Sequence, residues 1–187
     1  MGHLCASKVA PFLRGILADM KSRTALIISI AAVVFMCAVI FTFSAMPADD
    51  SNRLSTGLIW HIVGFIVPGY DQMSAAEQLQ WQEALQFPVR KAAHFSEYAL
   101  LGMLMLNMTL RLDCLRDRPI SVRAGVAWAL CVAYCLTDEI HQIFVPGRTF
   151  KLLDIVIDSS GALAGIALVL LIMWIVKRVR RSRAQHA

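Results

Sequence analysis

Charge is what this chain has least of. Only 17% of its 187 residues are Asp, Glu, Lys or Arg, while 58% are hydrophobic. A water-facing globule carries about a quarter charged residues, so a soluble domain is excluded as the first reading. The five cysteines, Cys5, Cys37, Cys114, Cys131 and Cys135, include no CxxC pair, which removes a zinc or disulfide framework. There is no HExxH and no G-x-S-x-G, so the common zinc-protease and serine-hydrolase signatures are missing. Ala6 stands where N-myristoylation wants Ser or Thr. No internal repeat, linker or second domain is visible.

What remains is a set of long apolar runs. Residues 24–43 hold no charge, and twenty helical residues span roughly 30 Å, the thickness of a hydrocarbon core. Residues 92–112 form a second candidate span. Residues 124–137 form the core of a shorter third, and 152–176 a fourth. The first run exceeds a usual signal-peptide core and lacks a persuasive cleavage site, so it reads as a membrane helix. The expected fold is all-α: a polytopic membrane helix bundle with four transmembrane helices and an interfacial helical segment in the loop between the first two. On this reading 1–23 and 177–187 are basic cytoplasmic tails around a membrane domain at 24–176.

The basic residues give the orientation. Both tails and the loop between the second and third spans hold thirteen of the eighteen Lys and Arg; the opposite side holds Arg53, Arg90, Lys91, Arg148 and Lys151. The positive-inside rule then puts both termini in the cytoplasm of a multi-pass inner-membrane protein. Ten of the thirteen acidic residues fall on the outer side. The net charge of +5 thus reads as topology and not as nucleic-acid binding.

The loop at 44–90 is itself patterned. Residues 58–67 are apolar but too short to cross, which suggests an interfacial or re-entrant piece with Trp60 and His61 at the boundary. Pro68-Gly69 ends it. Ser74 and Glu77 have capping-box spacing, opening a polar helix to about Gln86. Phe87-Pro88 is expected to break that helix, with Pro88 starting the second span.

The ionisable residues near the spans form stripes at helical spacing. Arg90, His94 and Glu97 share a face with Leu101. Tyr134, Asp138 and His141 share another if the third helix runs past Thr137. Asp154, Asp158, Gly161 and Gly165 share a third. Lipid rejects such groups, so each stripe should face into the bundle. Gly161-x-x-x-Gly165 permits close helix approach. Glu97 lies roughly 8 Å inside its span and needs a partner or a proton. An internal ion-pair network is as good an account of most of these residues as a binding site. Cys131 and Cys135 read as small packing residues.

These residues also carry a likeness. Phe43-Ser44-Ala45-Met46-Pro47, the run from Arg90 to Tyr98 with Gly102, the run from Asp138 to Arg148, Asp154 and the Gly161/Gly165 pair occur in order over about residues 43–172. In this the chain resembles the VanZ-like family of small membrane proteins. Asp158 stands where many members carry Asn. The resemblance implies a bacterial cytoplasmic-membrane protein linked to the cell envelope, in a family named for an association with glycopeptide (teicoplanin) resistance.

Two functional readings compete. In the first, an outer polar pocket holds a membrane lipid or lipid-linked envelope precursor. Arg90, Lys91 and Arg148 clasp its anion, while His94, Glu97, Asp138, Glu139, Gln142 and Asp154 complete the pocket. In the second, an intramembrane enzyme acts on a lipid-linked envelope substrate, with catalytic candidates His94, Glu97, Asp138, Glu139 and His141. His94-x-x-Glu97 and Glu139-x-His141 could offer metal ligands, but the second is not a helical pair and HExxH is missing, so no metal is expected, and no particular cofactor is implied. Proton transport by so few spans would require a homo-oligomer. Ser44 more naturally hydrogen-bonds near the end of the first helix than acts as a nucleophile.

Overall fold

The fold, taken from a computed structural model, is described for residues 3–185; the side chains of 3–19, 21, 49 and 54 lie outside that description, and with them Cys5 and most of the basic leader. Five α-helices follow one another: α1 (His3–Ser44), α2 (Ala48–Ile66), α3 (Ala75–Thr109), α4 (Ile120–Gln142) and α5 (Leu152–Gln185). Single 3-10 turns at Tyr70–Gln72 and Asp113–Leu115 join α2 to α3 and α3 to α4. No strand occurs among the described residues.

Three stretches are long and apolar enough to cross a membrane: Ser22–Ser44 in α1, α4, and α5. The second half of α3 is diluted by His94, Glu97 and Asn107 and does not reach that apolarity. Large side chains such as Ile27, Phe35, Leu163 and Leu171 point outward on α1 and α5, which suits lipid and not water. The α5 helix runs on through the basic segment after Val176, and Arg178 lies over the Trp174 ring at 5.3 Å.

The packing of α3 on α5 is the most extensive in the molecule, and small residues make it possible. A Cβ on Gly161 would run into the Phe95 carbonyl, one on Gly165 into that of Ala99, and one on Gly102 into that of Ala162. The backbones touch directly, as close helix association in lipid demands. Around this seam lies a core of Ile40, Tyr98, Leu101, Leu106, Ala127, Cys131, Cys135 and Ile166. Both cysteines are fully buried and free, so packing explains them. Hydrogen bonds that cross between helices include Tyr134 Oη to the Cys37 carbonyl at 2.6 Å, Asn107 Nδ2 to Ser29 Oγ at 3.0 Å, and Trp128 Nε1 to the Ser159 carbonyl at 3.0 Å. Each such bond adds roughly 0.6 kcal/mol inside a membrane.

One local expectation fails. Phe87-Pro88 does not break the polar helix: α3 is continuous from Ala75 to Thr109 with Pro88 inside it. Proline removes one donor to the carbonyl four residues earlier. Here that residue, Ala84, is exposed, as is Pro88, so solvent can take up the orphaned carbonyl. The capping box at its start is present: Ser74 Oγ accepts from the Glu77 N–H and Glu77 accepts from the Ser74 N–H. The Ser74 hydroxyl, donating to Glu77 Oε2 at 2.7 Å, and then the Ser74 N–H hold the Glu77 carboxyl below its usual value of 4.5.

The segment before α3 folds back on it. Ile59 and Val63 of α2 and Tyr70 of the turn form a second, smaller core, with Leu85 and Val89 of α3 packed against it. Polar contacts tie the same helices: Gln86 Nε2 donates to the Asn52 carbonyl at 3.1 Å and Thr56 Oγ1 to Gln86 Oε1 at 3.4 Å. The result is a hairpin of α2 and the first half of α3 at one end of the bundle.

Candidate functional site

The polar residues gather at the end of the bundle where α1 and α4 finish and α5 begins. The α4 helix continues past Thr137 to Gln142, which carries Asp138, Glu139 and His141 on helical backbone. Gly147 then adopts φ 73°, and a Cβ there would lie 2.9 Å from Ala48 Cβ. Glycine is therefore needed on two counts. This turn delivers Arg148 inward, where it is 9% exposed. Its guanidinium donates to the Met46 carbonyl at 3.3 Å and the Phe43 carbonyl at 3.5 Å. Arg148 thereby supplies donors and positive charge to the C-terminal end of α1, where unpaired carbonyls collect. The Ala48 N–H to Pro146 carbonyl bond, 3.2 Å, fastens the start of α2 to the same turn.

A cavity of about 220 Å³ opens between the end of α1, α2 and α3. Arg90, His94, Glu97 and Arg148 line it, with Phe43, Met46, Leu58 and Val89 as its apolar wall. Arg90 Nε and His94 Nδ1 are buried and have no hydrogen-bond partner. The Arg90 Nη1 reaches Asn52 Oδ1 only at 3.5 Å. Burial lowers the Arg90 pKa from its ordinary value, while the Asp154 and Glu139 carboxylates oppose that shift.

A second cavity of about 210 Å³ lies on the other side of Arg90, bounded by Lys91, Lys151, Asp154, Glu83, Gln86 and Phe87. Lys91 and Asp154 form an ion pair across it, each largely withdrawn from solvent. Lys91 also sits 5.5 Å from the centre of the Phe87 ring.

Asp138, Glu139 and Gln142 line neither of these cavities. They form a buried polar layer beside them. Asp138 Oδ2 accepts from Ser44 Oγ at 2.7 Å and from Gln142 Nε2 at 3.2 Å. Glu139 Oε2 accepts from the Lys151 N–H at 2.9 Å, and the Cys135 thiol approaches Asp158 Oδ2 at 3.8 Å. The second oxygen of each carboxylate is buried without a partner, as is the Tyr98 hydroxyl. His141 stacks against Phe41, with ring centroids 4.4 Å apart. Among the described residues no three His, Cys, Asp or Glu side chains converge in a way that could hold a metal ion.

The stripes thus meet at one end but split by depth. Arg90, His94, Glu97 and Arg148 reach one cavity; Lys91 and Asp154 reach the next; Asp138, Glu139, Gln142 and Asp158 stay in the layer between helices. Sequence reasoning placed an apolar segment at 58–67 but missed the first half of α2. Its Ser51 and Ser55 line the first cavity and its Asn52 meets Arg90. The signal was present as two hydroxyls at helical spacing before the apolar run, on one face once 48–66 is seen as helix.

No curated protein and no solved structure matches the chain. A family model, described as VanZ/LLP1, matches residues 29–174. That stretch runs from the first apolar helix through both polar cavities to the end of the apolar part of α5, so the chain belongs to the VanZ/LLP1 family.

Proposed function

We propose that this chain is a non-catalytic binding protein of the cytoplasmic membrane, holding the anionic, phosphate-bearing headgroup of a cell-envelope lipid at its outer face. The observation that carries the reading is the first cavity. It combines an apolar wall with a half-buried arginine, Arg90, whose buried Nε has no protein partner. A desolvated, unsatisfied donor is costly, and a guanidinium suits a planar fork of phosphate oxygens. Arg148 contributes field more than contact, since carbonyls already occupy it.

The same proposal includes topology. The second half of α3 crosses the membrane with α1, α4 and α5, shielded by its glycine-mediated contact with α5. Both termini then lie in the cytoplasm, because the basic segments cluster at the end opposite the cavities. The domain is 24–176, with basic tails at 1–23 and 177–187. Exposed Trp60, Phe65 and Ile66 on α2 support a seat for the hairpin at the outer interface. A link to glycopeptide resistance belongs to this reading, since holding an envelope precursor changes what a glycopeptide meets.

The test is the lipid that co-purifies. Wild type should retain a phosphorus-containing lipid at near-stoichiometric amount, read by mass spectrometry, and Arg90→Ala should lose most of it. Equal lipid in both, with equal size-exclusion profiles, would overturn the reading. A second reading, an intramembrane enzyme, rests on His94 and Glu97 lining the same cavity with His94 Nδ1 unpartnered. Chemical change of the retained lipid that His94→Ala abolishes, while binding persists, would favour it.

A further inference from the structure

We propose that the two cavities flanking Arg90 together hold one ligand, an amphiphile whose head carries a diphosphate. The inference rests on the reading above and narrows its ligand class. Arg90 lines both cavities, so one arginine borders two compartments of nearly equal size, about 220 and 210 Å³. The compartments differ in chemistry. The first has an apolar wall suited to a chain and its proximal phosphoryl group; the second is bounded mainly by charged and polar side chains.

The charges in the second compartment are unequal in availability. Lys91 and Asp154 neutralise each other as an ion pair. Among the residues that bound the compartment, Glu83 is then set against Arg90 and Lys151, a surplus of one positive charge, with the Glu139 carboxylate behind its wall. Lys151 is exposed; its backbone N–H donates to Glu139 and its carbonyl accepts from the Asp154 N–H at 3.0 Å, but its ammonium has no hydrogen bond or ion pair among the described residues. Its ammonium is free to meet a second phosphoryl group. A guanidinium has five N–H donors in a fixed fork, enough to serve two phosphoryl groups at once. A monophosphate amphiphile would fill the first compartment and leave Lys151 unused. Inorganic diphosphate would leave the apolar wall bare.

The experiment is calorimetric titration of the purified full chain in uncharged detergent with farnesyl diphosphate, farnesyl phosphate and inorganic diphosphate. Farnesyl diphosphate should bind roughly tenfold more tightly than farnesyl phosphate, the gain of one charge-assisted contact set. Inorganic diphosphate should be weaker than either. Lys151→Ala should bring the diphosphate down to the monophosphate affinity and leave the monophosphate unchanged, while Lys151→Arg keeps the preference. Equal affinities in wild type, or an equal loss for both prenyl probes in Lys151→Ala, would overturn the diphosphate inference and leave the phosphate-lipid reading standing. Absence of binding by either prenyl probe would overturn both.

Discussion

The bundle and the hairpin are held together in different ways. In the bundle, α3 and α5 meet backbone to backbone at Gly102, Gly161 and Gly165, and hydrogen bonds such as Tyr134 to Cys37 cross the helix gaps. In the hairpin, a core of only Ile59, Val63 and Tyr70 is supplemented by Gln86 and Arg90 reaching to Asn52. Lipid offers no hydrophobic reward for bringing helices together, so the bundle relies on close packing. Water does offer it, and the hairpin adds a polar face and a capping box to its small apolar core. The first cavity lies on the seam between these regimes, with walls from both.

The largest effect should come from closing the glycine seam. Gly165→Leu places a side chain where the Ala99 carbonyl lies and should destabilise the bundle by about 3 kcal/mol or more. Denaturation in mixed detergent micelles would read it; an unchanged unfolding midpoint would mean α3 and α5 do not pack this tightly.

The hairpin should break separately. Tyr70 is 1% exposed in the smaller core, and Tyr70→Ala should cost that core about 2–3 kcal/mol. Limited proteolysis should then cut near residues 67–74 while the bundle keeps its unfolding midpoint. Loss of both together would show one cooperative unit in place of two.

The smallest effect belongs to the capping box. Bonds from Ser74 depress the Glu77 carboxyl. A depressed acid contributes stability that is present above its unfolded pKa and lost as pH falls through its folded pKa. Protection of the first turn of α3, corrected for intrinsic amide exchange, should therefore weaken below about pH 4 in wild type. Glu77→Gln should show no such dependence.

Much of this was legible without coordinates because it follows from short-range rules. Apolar length marked α1, α4 and α5, Ser74 and Glu77 marked a helix start, and the Gly161/Gly165 spacing marked a contact face. The continuity of α3 was not legible, since a proline reads as a boundary unless the orphaned carbonyl is known to face outward. The part played by Ser51, Asn52 and Ser55 was hidden for a related reason: their segment resembles a loop until 48–66 is seen to be helical and folded against α3.

By itself the sequence determined an all-helical membrane-type chain of the VanZ/LLP1 family, with ionisable residues at one end of its apolar segments. Hydrophobic length and helical period are local, and composition alone carries them. Only the tertiary structure decided how those residues divide. It gave Arg148 to the end of α1, Ser44 to Asp138 and Lys91 to Asp154, and it left Arg90 between two cavities. Those pairings depend on which helices touch and at what height, and spacing along one chain does not encode the height of its neighbours.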